Sequence, residues 1–312
     1  MRVVVALGGH ALLRRGQEMT IENQRQNVRI ACQSLVRVAT EHELAITHGN
    51  GPQVGLLALQ SVARADVPPF PLDILDAETQ GMIGYLIAQE LDDRTHPDKT
   101  VAALLTMVEV DPNDPAFEDP TKPVGPFYDR ASADELAEEL GWTFKVDDAS
   151  YRRVVASPAP KRILELRQIR WLVERGCTVI CAGGGGIPTA SGPGGELIGV
   201  EAVIDKDCTS ALLGTELDAR FLAITTDVDA VYLDWGKRSA RAIRRVRPDV
   251  LMELAHHFEA GSMLPKVMAA AHFVNATSGT AAIGDLADVT QILQGSAGTI
   301  VTMDTEGIEL YR

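Results

Sequence analysis

Short runs of continuous apolar residues recur along the chain: VVVAL (3–7), ELAIT (43–47), TVAALLTMV (100–108), TVIC (178–181), FLAIT (221–225) and TIVTM (299–303). A strand wetted on one face alternates apolar and polar residues. Most of these runs do not, so they predict strands covered on both faces. Between them lie stretches with helical spacing. TIENQRQNVRIACQSLVRVATEH follows the first run, with Thr20 as candidate N-cap and Val28, Ala31, Cys32, Leu35 and Val36 along one side. AETQGMIGYLIAQELDDR precedes the third. This alternation predicts an α/β fold, a mostly parallel sheet with helices on both faces.

One region breaks the rhythm. From Val110 to about Lys161 the chain is dense in proline and charge, yet it carries Phe127, Tyr128, Trp142 and Phe144. Those aromatics give it something to pack, so it is expected to form a small flap or subdomain rather than a linker. With 312 residues the chain is long for one compact domain, which fits two lobes or one large α/β unit with such an elaboration.

Composition narrows the partners. The formal charge is −14 and the pI near 4.9, a balance that repels nucleic acid and anionic membranes, so neither is expected as a partner and any anion site must be local. No apolar run approaches the ~18 residues of a membrane helix, and the run after Arg2 is too short for the apolar core of a signal peptide, so a cytoplasmic location is expected. The four cysteines form no CxxC pair. Cys177 and Cys181, four apart on a predicted strand, would stand ~13 Å apart, too far to share one zinc. Reduced core thiols are expected.

Candidate chemistry gathers at strand ends. Glycine clusters follow strand-like runs at Gly8-Gly9, Gly49-Asn50-Gly51 and Gly183 to Gly186, and less tightly at Gly261-Ser262. In a parallel sheet the loops after the strands meet at the carboxyl edge, and glycine lets backbone N–H groups close on an anion. Several such clusters favour a phosphate site. There is no GxxxxGK[ST] P-loop; GNGPQVG (49–55) matches a loose GxGxxxG, but in the second strand unit and with Pro52 after its second glycine. The lysines sharpen the reading. Only seven of the 29 basic residues are lysines, and Lys122, Lys206 and Lys266 lie among small, apolar or proline residues. A compact ammonium suits a phosphoryl group gathering charge in transit, and Asp205 and Asp207 flank Lys206 so that a carboxylate can hold and aim it.

At these motifs the chain resembles the carbamate kinases of the amino-acid-kinase superfamily. The matching stretches are VVALGG and ALL on either side of His10, THGNGPQVG, TQGMIGY, PTKPVGPF, RRVVASPAPK, CAGGGGIP, GVEAVIDKD and GSMLPK, in order along almost the whole chain. The resemblance implies a three-layer αβα sandwich around a mainly parallel eight-stranded sheet, in a homodimer. It implies a carbamate or carbamoyl phosphate lobe over 1–215, with a protruding subdomain at about 110–160 bringing Lys122 over the substrate, and a nucleotide lobe over 216–312. Lys206 and Lys266 would bridge the transferring phosphoryl group and Asp207 would organise them. Gly8, Gly9, His10, Gly49, Asn50, Gly51, Gly184 and Gly185 would hold the substrate; Thr226, Asp227, Tyr232, Gly261, Ser262 and Met263 would hold ATP or ADP, with Mg²⁺ on its phosphates.

Relatives that phosphorylate acetylglutamate or aspartate carry a lysine at the position of Ala6, and its absence favours a small acceptor. His10 departs from the family, which typically has asparagine there; imidazole is bulkier and can become cationic beside phosphate. Two other readings share these motifs: a kinase for another small carboxylate or carbamoyl acceptor, and a nucleotide-binding regulator without chemistry. Retention of Lys122, Lys206, Asp207 and Lys266 weighs against the last.

Overall fold

Alternate residues of the first strand, Arg2–Leu7, serve opposite cores. Val3, Val5 and Leu7 pack with Val28, Cys32 and Leu35 of the helix Ile21–Glu41 and with Ile83 and Ile87 of the helix Leu72–Thr95. Val4 and Ala6 face Leu213 of the helix Lys206–Glu216, and Phe273 and Val274 of the helix Met263–Thr277 share that second core. Burying a valine or leucine fully is worth about 1.5–3 kcal/mol, so a strand committed on both faces has one tolerable register. The result is the expected three layers, helices against each side of a sheet. In this computed structural model the described residues are 1–14, 16–63, 68–95, 97–147, 150–259 and 261–312, and the side chain of His10 lies outside them.

The main sheet has ten strands among the described residues, two more than expected. From one edge they run Val231–Leu233, Arg241–Val246, Thr299–Val301, Thr280–Asp285, Phe221–Thr226, Arg2–Leu7, Glu43–His48, Thr178–Ile180 and Val101–Ala103, with Ile308–Leu310 paired to Arg241–Val246. Arg2–Leu7 lies parallel between Phe221–Thr226 and Glu43–His48, in a register that places Val3 opposite Phe221 and Leu44. The antiparallel pairs are confined to the Val231–Leu233 end of the sheet. Consequently the turns after residues 7, 48, 180 and 226 leave the same edge side by side. The first helix starts where the pattern placed it: Thr20 Oγ1 accepts from the Asn23 N–H at 3.2 Å.

TVAALLTMV is two strands rather than one. Val101–Ala103 closes the main sheet, while Met107–Val110 enters a second, four-stranded sheet with Ile187–Ser191, Pro160–Ile163 and Leu197–Gly199. Buried Thr106 makes the corner: its N–H donates to Gln80 Oε1 at 2.8 Å and its carbonyl accepts from Gln80 Nε2 at 3.1 Å. The proline-rich excursion then forms a third sheet, Lys122–Tyr128, Ser150–Val155 and Thr143–Asp147, with a helix at Arg130–Leu140. Three of the four aromatics pack together, while Phe127 stays exposed. Tyr128 meets Phe144 edge-on with centroids 5.3 Å apart, and the Arg153 guanidinium lies 3.8 Å from the Trp142 centroid.

This small sheet sits on the helix Gly51–Val62 through a backbone-to-backbone approach. A Cβ on Gly55 would lie 1.9 Å from the Gly125 Cα, so that position requires glycine, while Gly125 favours glycine through its left-handed backbone at φ +75°. Val54, Ala58, Val124 and Val155 seal the contact. Docking here brings Lys122, the first residue of its strand, back toward the sheet's carboxyl edge.

Candidate active site

The helix Lys206–Glu216 begins with three charged residues, and its cap explains their arrangement. Asp205 is the N-cap: its Oδ1 accepts from the Asp207 N–H at 2.9 Å and the Cys208 N–H at 3.3 Å. Its other oxygen pairs with Lys122 Nζ, across 83 residues of sequence. Asp207 turns its carboxylate between two lysines. One oxygen pairs with Lys206 Nζ and the other lies 3.1 Å from Lys266 Nζ, which also donates to the Ser262 carbonyl at 3.3 Å. The Asp207 side chain is 3% exposed, Lys206 11% and Lys266 16%, which rules out ordinary solvated surface charge for both lysines. Five charges from three separate parts of the sequence therefore meet at one helix N-terminus, whose dipole adds to the pull on an anion.

Burial pushes the Lys206 ammonium below its ordinary pKa, with Asp207 pulling it back up and Lys266 adding to the depression. Lys122 moves the other way: burial would lower it, but attraction to Asp205 outweighs that. Burial alone would raise the Asp205 carboxyl, yet Lys122, by charge and hydrogen bond, and Lys206 hold it well below the usual carboxylate range. A carboxyl depressed in the folded state stabilises fully above its unfolded value and loses that contribution as pH falls through the folded one. Asn caps helices as well as Asp, so Asp205→Asn isolates the charge. The gap in unfolding midpoint between the protein and this variant is expected to be full at pH 7 and to narrow steadily below about pH 4. A gap that stays constant in thermal melts down that range would remove the ion pair from the stability account.

The glycine turns close around these lysines. A Cβ on Gly49 would lie 3.7 Å from the Gly9 amide nitrogen and 3.7 Å from both Cδ and Cε of Lys206, so the first two turns and the lysine stem touch. Gly8 donates its N–H to Thr225 Oγ1 at 3.2 Å, which ties the first turn to the end of the neighbouring strand, beside Thr226. Gly51 opens the helix Gly51–Val62 with Asn50 as its N-cap residue. Gly184 and Gly185 are buried in the third turn with φ +69° and +99°; a Cβ would meet the Asn50 amide nitrogen at 2.3 Å and the Ile204 carbonyl at 2.4 Å. Glycine is required there by packing under the site as well as by backbone handedness.

The residues expected on the nucleotide side divide into two groups. Gly261, Ser262 and Met263 lead into the helix Met263–Thr277 and thereby adjoin Lys266, with Ser262 Oγ donating to Glu259 Oε2 at 2.7 Å. Thr226 ends its strand and donates to Asp227 Oδ1 at 3.2 Å. Tyr232 lies on the edge strand Val231–Leu233, its ring tilted 60° to that of Trp235 with centroids 5.0 Å apart, and donates to Asp229 Oδ1 at 2.9 Å. Lys206, Lys266, Asp207 and the first two glycine turns are joined by direct contacts, and Lys122 joins them through Asp205.

Sequence reasoning assigned no site role to several buried polar groups beneath the turns. Asp205, noted only as a flank of Lys206, was detectable as an N-cap before an apolar helix. His48 carries no such signal: its Nδ1 lies 3.0 Å from the Gly49 carbonyl, and burial pushes it down to about 4, so it is a neutral donor bracing the second turn. Asp76 and Thr79 clasp the Asn50 amide from inside the helix Leu72–Thr95. The four cysteines are free thiols, three buried and Cys208 half-buried. Among the described residues no helix is long and apolar enough to cross a membrane.

The chain is similar to known proteins along almost its whole length. The model of the amino acid kinase family matches residues 1–285, a span holding every glycine turn and both lysine-bearing helices. The carbamate kinase of Haemophilus influenzae is 56% identical over 311 residues, 100% of each chain. That of Rhizobium meliloti is 55% identical over 304 residues, 97% of this chain and 93% of its own. Among solved structures, carbamate kinase from Giardia lamblia bound to AMP-PNP aligns with a TM-score of 0.87 at 37% identity, over 96% of this chain and 98% of that one. Its sequence over nearly its whole length, together with its sheet and its motifs, establishes that the chain belongs to the amino acid kinase family.

Proposed function

We propose that the chain catalyses reversible phosphoryl transfer between ATP and carbamate, giving ADP and carbamoyl phosphate. The observation that carries this reading is the pair Lys206 and Lys266 held on one buried carboxylate, with the Lys206 stem against the Gly49 turn. A carbamate oxygen attacks the γ-phosphorus while the bond from that phosphorus to the β–γ bridging oxygen breaks and ADP departs. Carbamate is already an anion, so no protein base is needed and no covalent enzyme intermediate forms. Lysines and backbone N–H groups of the turns stabilise the charge that spreads over the equatorial oxygens.

On this reading the lobe 1–215 holds carbamate or carbamoyl phosphate, with Lys122 delivered by the subdomain, and 216–312 holds the nucleotide. The Giardia lamblia relative with AMP-PNP supports nucleotide use. Mg²⁺ comes with the nucleotide and neutralises its phosphates; no group of three or more His, Cys, Asp or Glu side chains among the described residues is placed to hold a cation. Asp207, committed to two lysines, acts through them. A homodimer in the cytoplasm completes the proposal, in keeping with the family resemblance.

Incubation of the purified protein with carbamoyl phosphate and MgADP is expected to yield ATP, measured by a coupled luciferase assay. Absence of ATP there, with ADP release from ATP on another small carboxylate, would replace carbamate by that acceptor. Absence of turnover with every acceptor would leave a nucleotide-binding protein.

A further inference from the structure

The Asn50 side chain is held in one orientation. Its Nδ2 donates to Asp76 Oδ1 at 2.7 Å and to Thr79 Oγ1 at 2.8 Å. Thr79 gives its own hydrogen to the Asp76 backbone carbonyl at 2.8 Å, so toward Asn50 its oxygen can only accept. That settles which end of the amide faces the helix. Both hydrogens of the NH₂ group are committed, and Gly184 lies flat against the same amide. Asn50 is 3% exposed, Asp76 and Thr79 0%, so solvent does not compete for these bonds. The one hydrogen-bonding atom of the Asn50 side chain left for a ligand is Oδ1, in the turn that adjoins Lys206.

A lone-pair acceptor repels phosphate and carboxylate oxygens and suits an N–H. Carbamate and carbamoyl phosphate carry one such group, the amino group on the carbonyl carbon. We propose that Asn50 Oδ1 accepts a hydrogen bond from that amino group, and that Asp76 and Thr79 are positioning residues that keep the amide turned for it. The assignment rests on the function proposed above and deepens it, since it makes Asn50 the group that distinguishes carbamoyl from acetyl compounds. Burial raises the Asp76 carboxyl well above the ordinary range; the Asn50 bond opposes this, while Asp73 and Glu201 add to it. Its Oδ2 has no hydrogen-bond partner among the described residues. A neutral acid tolerates that better than a carboxylate does, and it avoids a further negative charge under an anionic substrate.

Acetyl phosphate, with a methyl group in place of the amino group, is the probe. ATP formation from MgADP is measured with each phosphate, and the ratio of the two kcat/KM values is the readout. Thr79→Val and Asp76→Leu are expected to lower kcat/KM for carbamoyl phosphate roughly tenfold, the scale of one buried hydrogen bond, and to change the acetyl phosphate value far less. Asp76→Asn keeps an acceptor toward Asn50 and is expected to restore the ratio. Equal losses with both phosphates, an unchanged ratio, or an Asp76→Asn variant as unselective as Asp76→Leu would overturn the assignment. Thr79→Val carries the test alone if Asp76→Leu does not fold. An unmodified chain that makes ATP from acetyl phosphate and none from carbamoyl phosphate refutes the proposed function itself, whereas a selective parent with equally selective variants refutes only the role of Asn50.

Discussion

Replacing Lys206 by alanine is expected to lower kcat roughly 10²- to 10³-fold, the loss seen when one preorganised donor to a developing negative charge is removed. Lys206 qualifies as such a donor because its ammonium is nearly buried, is aimed by Asp207, and rises on a stem that lies against Gly49. Its removal leaves Asp207 with Lys266 alone, so the local charge falls by one where the transition state gathers anionic charge. Arginine should not restore the rate, since a planar fork cannot occupy the place of a compact ammonium held on Asp207 with its stem against Gly49. Lys237→Ala supplies the contrast: that lysine is 69% exposed, paired with Asp234, and its loss should leave turnover unchanged. Steady-state ATP formation, with a melting curve to confirm folding, decides the matter. A Lys206→Ala enzyme within threefold of normal turnover would exclude Lys206 from the mechanism.

Gly55→Ala is expected to damage both fold and rate. Alanine in a helix is worth about 1 kcal/mol over glycine, which alone predicts a more stable protein. Here the new methyl would stand 1.9 Å from the Gly125 Cα and 2.2 Å from its nitrogen, and those backbone atoms cannot rotate aside as a side chain can. Overpacking of this kind costs about 1–3 kcal/mol or more, so the clash outweighs the propensity gain and lifts the strand Lys122–Tyr128 off its helix. Lys122 moves with that strand, away from Asp205, and kcat/KM for carbamoyl phosphate falls with stability. Gly81→Ala is the matched control. Gly81 also lies in a helix, a Cβ there meets nothing within 4 Å, and the substitution should raise stability by about 0.5–1 kcal/mol. Urea unfolding of the two variants should give shifts of opposite sign; two shifts of the same sign would refute the argument.

The continuous apolar runs were readable because a parallel strand covered on both faces has no polar positions. The strand Thr280–Asp285 escaped the same reading although it lies within the sheet beside Phe221–Thr226: its sequence TAAIGD is too poor in β-branched residues to signal a strand. Arg241–Val246 escaped for the opposite reason, since Arg241, Arg244 and Arg245 make it resemble a wet surface segment. The corner at Thr106 depends on a side chain 26 residues upstream, which no local pattern contains. In the site, Lys122, Lys206 and Lys266 stood out because arginine supplies most of the positive charge elsewhere, so each lysine carried information. Thr79 opens the matching stretch TQGMIGY and Asp76 lies three residues before it, yet nothing in that helical pattern gives either one a partner. Their role exists only once the sheet brings Asn50 to them.

At the head of the helix Lys206–Glu216 three ammonium groups meet two carboxylates, so the cluster is close to self-neutralised before any substrate arrives. An incoming phosphate must therefore exchange places with a resident counter-ion instead of quenching a bare charge. Such an exchange returns little free energy for a bound reactant and more as charge builds on the oxygens in flight. A chain arranged this way grips neither side of its reaction tightly and releases either product readily, which is the behaviour a reversible transfer requires.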